Sequence, residues 1–166
     1  MIEFCSLKDY KGAGIPSFDC GEEVLNSFLR EYASRNERKG IGRTFLMIED
    51  GYIAGYFTLS AAQIECENIP EKERRRLPRY PLPAIRIARF AVSKDKQRSG
   101  YGKRMLRFVL QKALSAAFSV GVVFIAVDAK PEAVAFYEKF GFVKTVGTER
   151  TYVIPISVIG KAMGLL

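Results

Sequence analysis

Between residues 84 and 127 the chain passes from an alternating apolar segment, through a polar turn with two glycines, into a long amphipathic helix and then a near-continuous apolar run. That order constrains the fold more than any other feature. Within residues 100–117, Met105, Leu106, Val109, Leu110, Ala113, Leu114 and Ala117 recur at helical spacing and form one stripe that must be buried. Residues 84–92 alternate as a half-buried strand does. Residues 120–127 read as a strand covered on both faces. The succession belongs to an α/β layer architecture.

The rest of the chain fits that frame. Residues 19–39 read as a helix with Asp19 as N-cap and Val24, Leu25, Phe28, Leu29 and Tyr32 as its buried stripe. Gly40 and Gly42 end it. Asp50-Gly51 marks a two-residue hairpin between strands 44–49 and 52–64, with Gly55 placed for a bulge. Residues 68–83 hold Pro70, Pro78, Pro81 and Pro83 and read as a loop with a short helix. Pro131 opens another helix that carries Ala133, Phe136, Tyr137 and Phe140 and stops at Gly141. Late strands follow at 143–146 and 151–156. No repeat or linker divides the chain, so residues 1–166 are expected to form one α/β domain with a mixed sheet.

Charge and missing residue types narrow the chemistry. The net charge of +8 is local: residues 30–43 carry +3, residues 68–83 carry +3 and residues 93–112 carry +6, which leaves −4 for the remainder. Three separate basic runs point to an extended anionic partner. The chain has no histidine. That excludes Ser-His-Asp and Cys-His catalysis and any histidine-ligated zinc. Cys5, Cys20 and Cys66 are widely spaced with no C-x-x-C pair, which argues against a disulfide framework or a Cys-only zinc site. Three free thiols suit a reducing, cytoplasmic compartment. Neither a signal peptide nor an apolar stretch of about 18 residues is expected, so no membrane partner is.

Chemistry concentrates in residues 89–103. A strand runs into a polar turn, then Gly100-Tyr101-Gly102 at the start of the long helix. The first helical turn has free backbone N–H groups and the positive end of the dipole, and phosphate binds there readily. Lys103 and Arg104 add charge. Two familiar phosphate loops do not match. A Walker A loop needs Ser or Thr where Arg104 stands, and the dinucleotide fingerprint needs a third glycine where Met105 stands. The second informative segment is Ala135-Phe136-Tyr137-Glu138-Lys139-Phe140-Gly141-Phe142. Its phenylalanines fit core packing, whereas the Tyr137 phenol can donate a proton.

Gln97-x-x-Gly100-x-Gly102 after a strand, followed by Ala135-Phe136-Tyr137-x-x-Phe140-Gly141-Phe142, resembles the GNAT acetyltransferases. Phe18-Asp19-Cys20-Gly21, Leu25-Asn26-Ser27-Phe28-Leu29, Ser34-Arg35-Asn36 and Arg43-Thr44-Phe45 resemble the TacT-like toxin subgroup of type II toxin–antitoxin systems. The resemblance spans roughly residues 16–156. It implies a GNAT fold: a central mixed, mostly antiparallel sheet flanked by helices, with splayed central strands.

The resemblance further implies acetyl-CoA as co-substrate, with no metal. Backbone amides of Arg98, Ser99, Gly100, Tyr101, Gly102 and Lys103 would hold its pyrophosphate beside Gln97. Ala91 and Val92 would pair with the pantetheine arm and polarise the thioester carbonyl. Asp128 and Phe136 complete the expected cofactor set, and Tyr137 would be the acid that protonates the leaving thiolate. Related toxins often have glycine where Arg98 stands; a positive φ there would strain the arginine.

The implied acceptor is the α-amine of aminoacyl-tRNA, and the implied outcome is a block of translation. Arg35, Arg38, Lys39, Arg43, Arg74, Arg75 and Arg76 would hold the tRNA. An α-amine with a pKa of about 7.8 is roughly 14% neutral at pH 7, against about 0.04% for a lysine amine. A chain without histidine is better matched to the former. The subgroup implies a ribbon-helix-helix antitoxin, operator DNA bound only through that antitoxin, and homodimers. For the apolar tail at residues 158–166, a dimer contact and packing on its own core stand as alternatives. Two other readings stay open: a GNAT enzyme acetylating a protein N-terminus or small amine, and a non-catalytic nucleic-acid-binding module on a GNAT scaffold.

Overall fold

A computed structural model describes the backbone of residues 1–162 and the side chains of residues 1–160. Seven strands form one sheet in the order β1-β2-β3-β4-β5-β7-β6. They are β1 (Ile2–Ser6), β2 (Arg43–Glu49), β3 (Tyr52–Ile64), β4 (Leu82–Val92), β5 (Phe124–Asp128), β6 (Val143–Lys144) and β7 (Thr151–Pro155). The helices are α1 (Glu23–Ser27), α2 (Ala33–Arg38), α3 (Glu71–Arg74), α4 (Tyr101–Ala117), α5 (Val134–Lys139) and α6 (Ile156–Ala162). One pair, β4 with β5, is parallel. By its contacts the chain divides into two compact units, residues 1–60 with 88–109, and residues 61–87 with 110 onward.

In the first unit, Asp50 and Gly51 adopt φ of 51° and 81°, the two left-handed residues that a two-residue hairpin of matching twist requires. The β2–β3 ladder shifts register between Met47, opposite Gly55, and Ile48, opposite Ile53. Ala54 is thus the extra residue of a bulge beside Gly55. Strand β1, which the sequence reading did not include, pairs antiparallel with β2, and Phe4 stacks on Phe108 at 4.0 Å. Phe18, Phe28, Leu29, Ala33, Leu46, Tyr56 and Ala91 pack into one buried cluster.

The first helical region departs from expectation in two ways. Asp19 is not an N-cap, because Gly21 turns the chain with φ of 90° and the helix begins only at Glu23. Asp19 instead accepts hydrogen bonds from the Gly21 N–H and Asn26 Nδ2, both at 2.9 Å. Residues Phe28–Tyr32 form a π-helical turn between α1 and α2. This wider turn breaks the 3.6-residue period. The buried face therefore runs through Asn26, Phe28, Leu29, Ala33 and Glu37, while Val24 is 79% and Tyr32 46% exposed.

In the second unit, β5 lies between residues 84–87 of β4 and strand β7, with Phe124, Ile125, Ala126 and Val127 all buried. The strand starts four residues later than expected. The N–H groups of Ser119 and Val120 both donate to the Ala116 carbonyl, so these residues finish α4 rather than join the sheet. Pro131 opens a 3₁₀ turn that leads into α5, and Gly141 stops it with φ of 101°. Strand β6 is shorter than expected because the Val146 N–H donates to Asn68 C=O. Helix α6 was not anticipated. Within the apolar tail, Ile159 is buried and Val158 exposed; the side chains of residues 161–166 lie outside the described residues.

Candidate active site

The first unit holds the cofactor loop. Parallel pairing of β4 with β5 ends at Ile87 opposite Val127, although β4 continues to Val92. Residues 88–92 carry the strand beyond that pairing. On the other side the Ser93 N–H donates to Ala54 C=O at 2.8 Å, which anchors the strand end on the bulge. Gly55 makes this close approach possible: a Cβ there would lie 2.8 Å from the Ala91 carbonyl oxygen and 3.1 Å from Met105 Sδ.

A 3₁₀ turn over Lys94–Lys96 carries the chain to Gln97. The Gln97 side chain is exposed yet acts as a strut: Nε2 donates to Cys20 C=O and Val92 C=O, both at 2.8 Å. It shapes the loop and leaves its backbone to a ligand. Arg98 then adopts φ of 60° and Gly100 φ of 87°. The strain foreseen at Arg98 is present. Two left-handed residues on either side of one without positive φ suit an anion-binding nest, a turn whose successive N–H groups can share one anion. A Cβ on Gly100 would meet nothing within 4 Å, so the mouth of this cradle is open. The first helical bond of α4 runs from Arg104 N–H to Gly100 C=O at 3.1 Å. The amides of Tyr101, Gly102 and Lys103 precede it and have no partner within the helix. Ser99, Arg98 and Lys103 are exposed beside them. The arrangement fits a pyrophosphate at the positive end of a 17-residue helix.

One carboxylate braces both ends of the loop. Tyr101 Oη donates to Glu49 at 2.8 and 3.0 Å, and Lys96 Nζ lies 3.1 Å from the same group. Lys96 also sits over the Tyr101 ring, 5.4 Å from its centroid. The Tyr101 hydrogen bond, with help from Lys96, holds the Glu49 carboxyl below its ordinary pKa. The same carboxylate raises the Lys96 ammonium and the Tyr101 phenol. Sequence reasoning missed Glu49, because no local pattern marks a contact made across 52 residues.

Asp128, Phe136 and Tyr137 belong to the second unit. Tyr137 is buried on α5 between Phe136 and Phe142, with ring centroids at 5.2 and 5.4 Å. Burial pushes its phenol well above the ordinary value, so the hydroxyl keeps its proton at neutral pH. Asp128 accepts from Thr151 Oγ1 at 2.7 Å and pairs with Arg86 at 3.1 Å.

The basic residues divide between the units as well. Arg35, Arg38, Lys39 and Arg43 are exposed in the first, where Arg35 covers the Tyr32 ring at 5.3 Å. In the second, Arg75 and Arg76 are exposed, and Arg74 and Arg75 line a cavity of about 490 Å³ with Glu67, Glu71 and Arg79. Among the described residues no three His, Cys, Asp or Glu side chains are grouped to hold a metal ion.

Residues 6–153 match the family model of the acetyltransferase (GNAT) domain. A tRNA-acetylating toxin of Mycobacterium tuberculosis is 35% identical over 129 residues, 77% of each chain. AtaT complexed with acetyl-methionyl-tRNAfMet superposes with a TM-score of 0.91 at 26% identity, covering 98% of this chain and 99% of that one. A tyrosine-to-phenylalanine mutant of KacT gives 0.89 at 27% identity, over 97% and 98%. AtaTR bound with AcCoA gives 0.83 at 27% identity, over 98% of both chains. With its sheet, its loop and these likenesses, the chain belongs to the GNAT acetyltransferase family.

Proposed function

We propose that this protein transfers the acetyl group of acetyl-CoA to the α-amine of aminoacyl-tRNA and so blocks translation, as a toxin held in check by a cognate antitoxin. The observation that carries the reading is the open nest at Arg98–Gly100, backed by the free amides of α4, in a chain 35% identical to a tRNA-acetylating toxin. AtaTR is bound with AcCoA and AtaT is complexed with acetyl-methionyl-tRNAfMet, the acetyl donor and an acetylated product of such a transfer in related proteins.

Transfer is direct. Amides of residues 98–103 hold the pyrophosphate, and backbone of Ala91 and Val92 pairs with the pantetheine arm and polarises the thioester carbonyl. The amine nitrogen attacks the carbonyl carbon, the C–S bond breaks, Tyr137 gives its proton to the departing thiolate, and the amine loses a proton to solvent. Asp128 and Phe136 complete the cofactor side. Arg35, Arg38, Lys39, Arg43, Arg74, Arg75 and Arg76 hold the tRNA through its phosphates.

The partner is a ribbon-helix-helix antitoxin through which operator DNA is engaged. A tyrosine-to-phenylalanine mutant of AtaT bound to the C-terminus of the antitoxin AtaR and the KacTA–DNA complex support an antitoxin partner and a complex on DNA. The active species is a homodimer in which residues 1–166 act as one catalytic domain. It works in the cytoplasm, where aminoacyl-tRNA is found; among the described residues Cys5, Cys20 and Cys66 form no disulfide, as suits a reducing compartment.

Incubation with labelled acetyl-CoA and a pool of charged tRNAs tests the reading. Label is expected on the aminoacyl end of tRNA. Label only on protein or on small amines overturns it.

A further inference from the structure

Arg89 lies in the segment that leads to the cofactor loop, yet neither the loop nor the acid uses it. It stands two residues before Ala91 on β4, so the two side chains leave the same face. Its guanidinium covers the Phe28 ring at 4.4 Å. Of its five donors, one is given to the Ala88 carbonyl at 2.9 Å. Among the described residues no carboxylate forms an ion pair with it, although the side chain is half-buried. A cation in that position is unfavourable without acceptors.

The same guanidinium lines a cavity of about 90 Å³ with Phe28, Asn36, Thr44, Thr58 and Ser60. Thr44 and Thr58 close part of it with their own hydrogen bond, 2.7 Å between hydroxyl oxygens. Phe28, at the start of the π-helical turn, and Ala33 and Asn36 of α2 form one wall. Every one of these residues lies in the unit that carries Ala91 and the nest. The cavity offers a cationic fork, an amide and hydroxyls, and no free carboxylate. It is complementary to a ligand oxygen and repels a second cation.

We propose that Arg89 and this cavity form an acceptor subsite that takes a hydrogen-bond-accepting oxygen carried beside the reacting amine. The inference rests on the aminoacyl-tRNA reading above, where two groups supply such an oxygen: the ester carbonyl and the terminal ribose-phosphate. Two strand residues span about 6.6 Å. That is comparable with the reach from an amine poised at Ala91 across its ester to the ribose. Arg89 orients the acceptor; it takes no part in the bond changes.

The test compares wild type with Arg89→Met, which keeps apolar cover for Phe28, and Arg89→Lys, which keeps the charge and loses the fork. Substrates are the charged-tRNA pool and amino-acid methyl esters, which keep the amine and carbonyl but have no ribose or phosphate. Arg89→Met is expected to raise the KM for charged tRNA about tenfold or more, with acetyl-CoA affinity and melting temperature unchanged, and Arg89→Lys to fall between. A parallel rise with the methyl esters assigns the oxygen to the ester carbonyl; no change with them assigns it to the ribose-phosphate. Ser60→Leu, which fills the cavity and leaves the cation, should raise the same KM. An unchanged KM in Arg89→Met, or an equal loss of acetyl-CoA affinity, overturns the subsite. Wild type that acetylates the esters and no charged tRNA refutes the tRNA reading instead, and the ester arm then decides the role of Arg89.

Discussion

Two glycines near the site are glycine for different physical reasons, and Gly55→Ala separates them. At Gly55 the added Cβ would sit 2.8 Å from the Ala91 carbonyl oxygen, 3.1 Å from Met105 Sδ and 3.2 Å from Met47 Cε. Ordinary contact begins at 3.4 Å, so the Ala91 carbonyl would have to recede by about half an ångström. It is not free to do so, because the Ser93 N–H holds the strand to Ala54 and Gln97 holds the Val92 carbonyl. Overpacking of this kind costs about 1–3 kcal/mol. Reduced freedom of the unfolded chain offsets about 0.4–1 kcal/mol. A net loss of about 1–2 kcal/mol lowers the melting temperature by roughly 2–8 °C for a chain of this size. The displaced carbonyl belongs to the strand end assigned to the pantetheine arm, so the KM for acetyl-CoA should rise along with the loss of stability. Gly100→Ala is the contrast. Its Cβ meets nothing, and only the φ of 87° opposes it, at about 1–2 kcal/mol. Calorimetry and acetyl-CoA titration of both variants decide the matter. A Gly55→Ala protein that melts and binds acetyl-CoA as wild type does would show that the bulge absorbs a methyl group and that the packing argument is wrong.

Tyr137→Phe should lower kcat about 10²–10⁴-fold, the range of a positioned acid, with acetyl-CoA binding retained; wild-type turnover would remove Tyr137 from the mechanism. Burial raises the folded-state pKa of both Tyr56 and Tyr137. The unfolded chain therefore ionises first, and the contribution of these two phenols to stability should be full below about pH 10 and be lost as pH rises above it. Urea titrations at pH 8, 9 and 10.5 check this, and a flat profile would contradict the burial of these phenols. Glu49→Gln should raise the KM for acetyl-CoA and leave kcat at saturation unchanged; steady-state kinetics with varied acetyl-CoA distinguish the two. Neutralising Arg35, Arg38 and Arg43 together should weaken tRNA binding and flatten its salt dependence by about 0.7–0.9 per lost phosphate contact, measured as log K against log salt.

Features whose cause is local could be read from the sequence. The Asp50-Gly51 turn, the stripe of α4 and the stop at Gly141 each depend on neighbouring residues, and each stands as expected. The π turn at Phe28–Tyr32 could not be read, because its widened spacing is stabilised by the cluster it packs against rather than by its own residues. Strand β1 is only five residues long and gains its partner from β2, some forty residues away. In the site, the loop motif was legible because a nest needs particular residue types. Glu49 was not, since any acidic residue at a strand end looks like solvated surface. Arg89 did leave a signal. It is a charged residue at an inward position of an alternating strand, two places from buried Ala91.

Gln97 has a bearing on the order in which this protein acquires its activity. Its amide reaches Cys20, 77 residues earlier in the chain, and Tyr101 reaches Glu49, 52 residues earlier. Closing loops of that length carries an entropic cost that the short loop segment cannot meet by itself. The cradle therefore depends on the packing of the whole first unit, and competence to bind acetyl-CoA is expected to arrive with the completed unit rather than with the segment 97–103 alone.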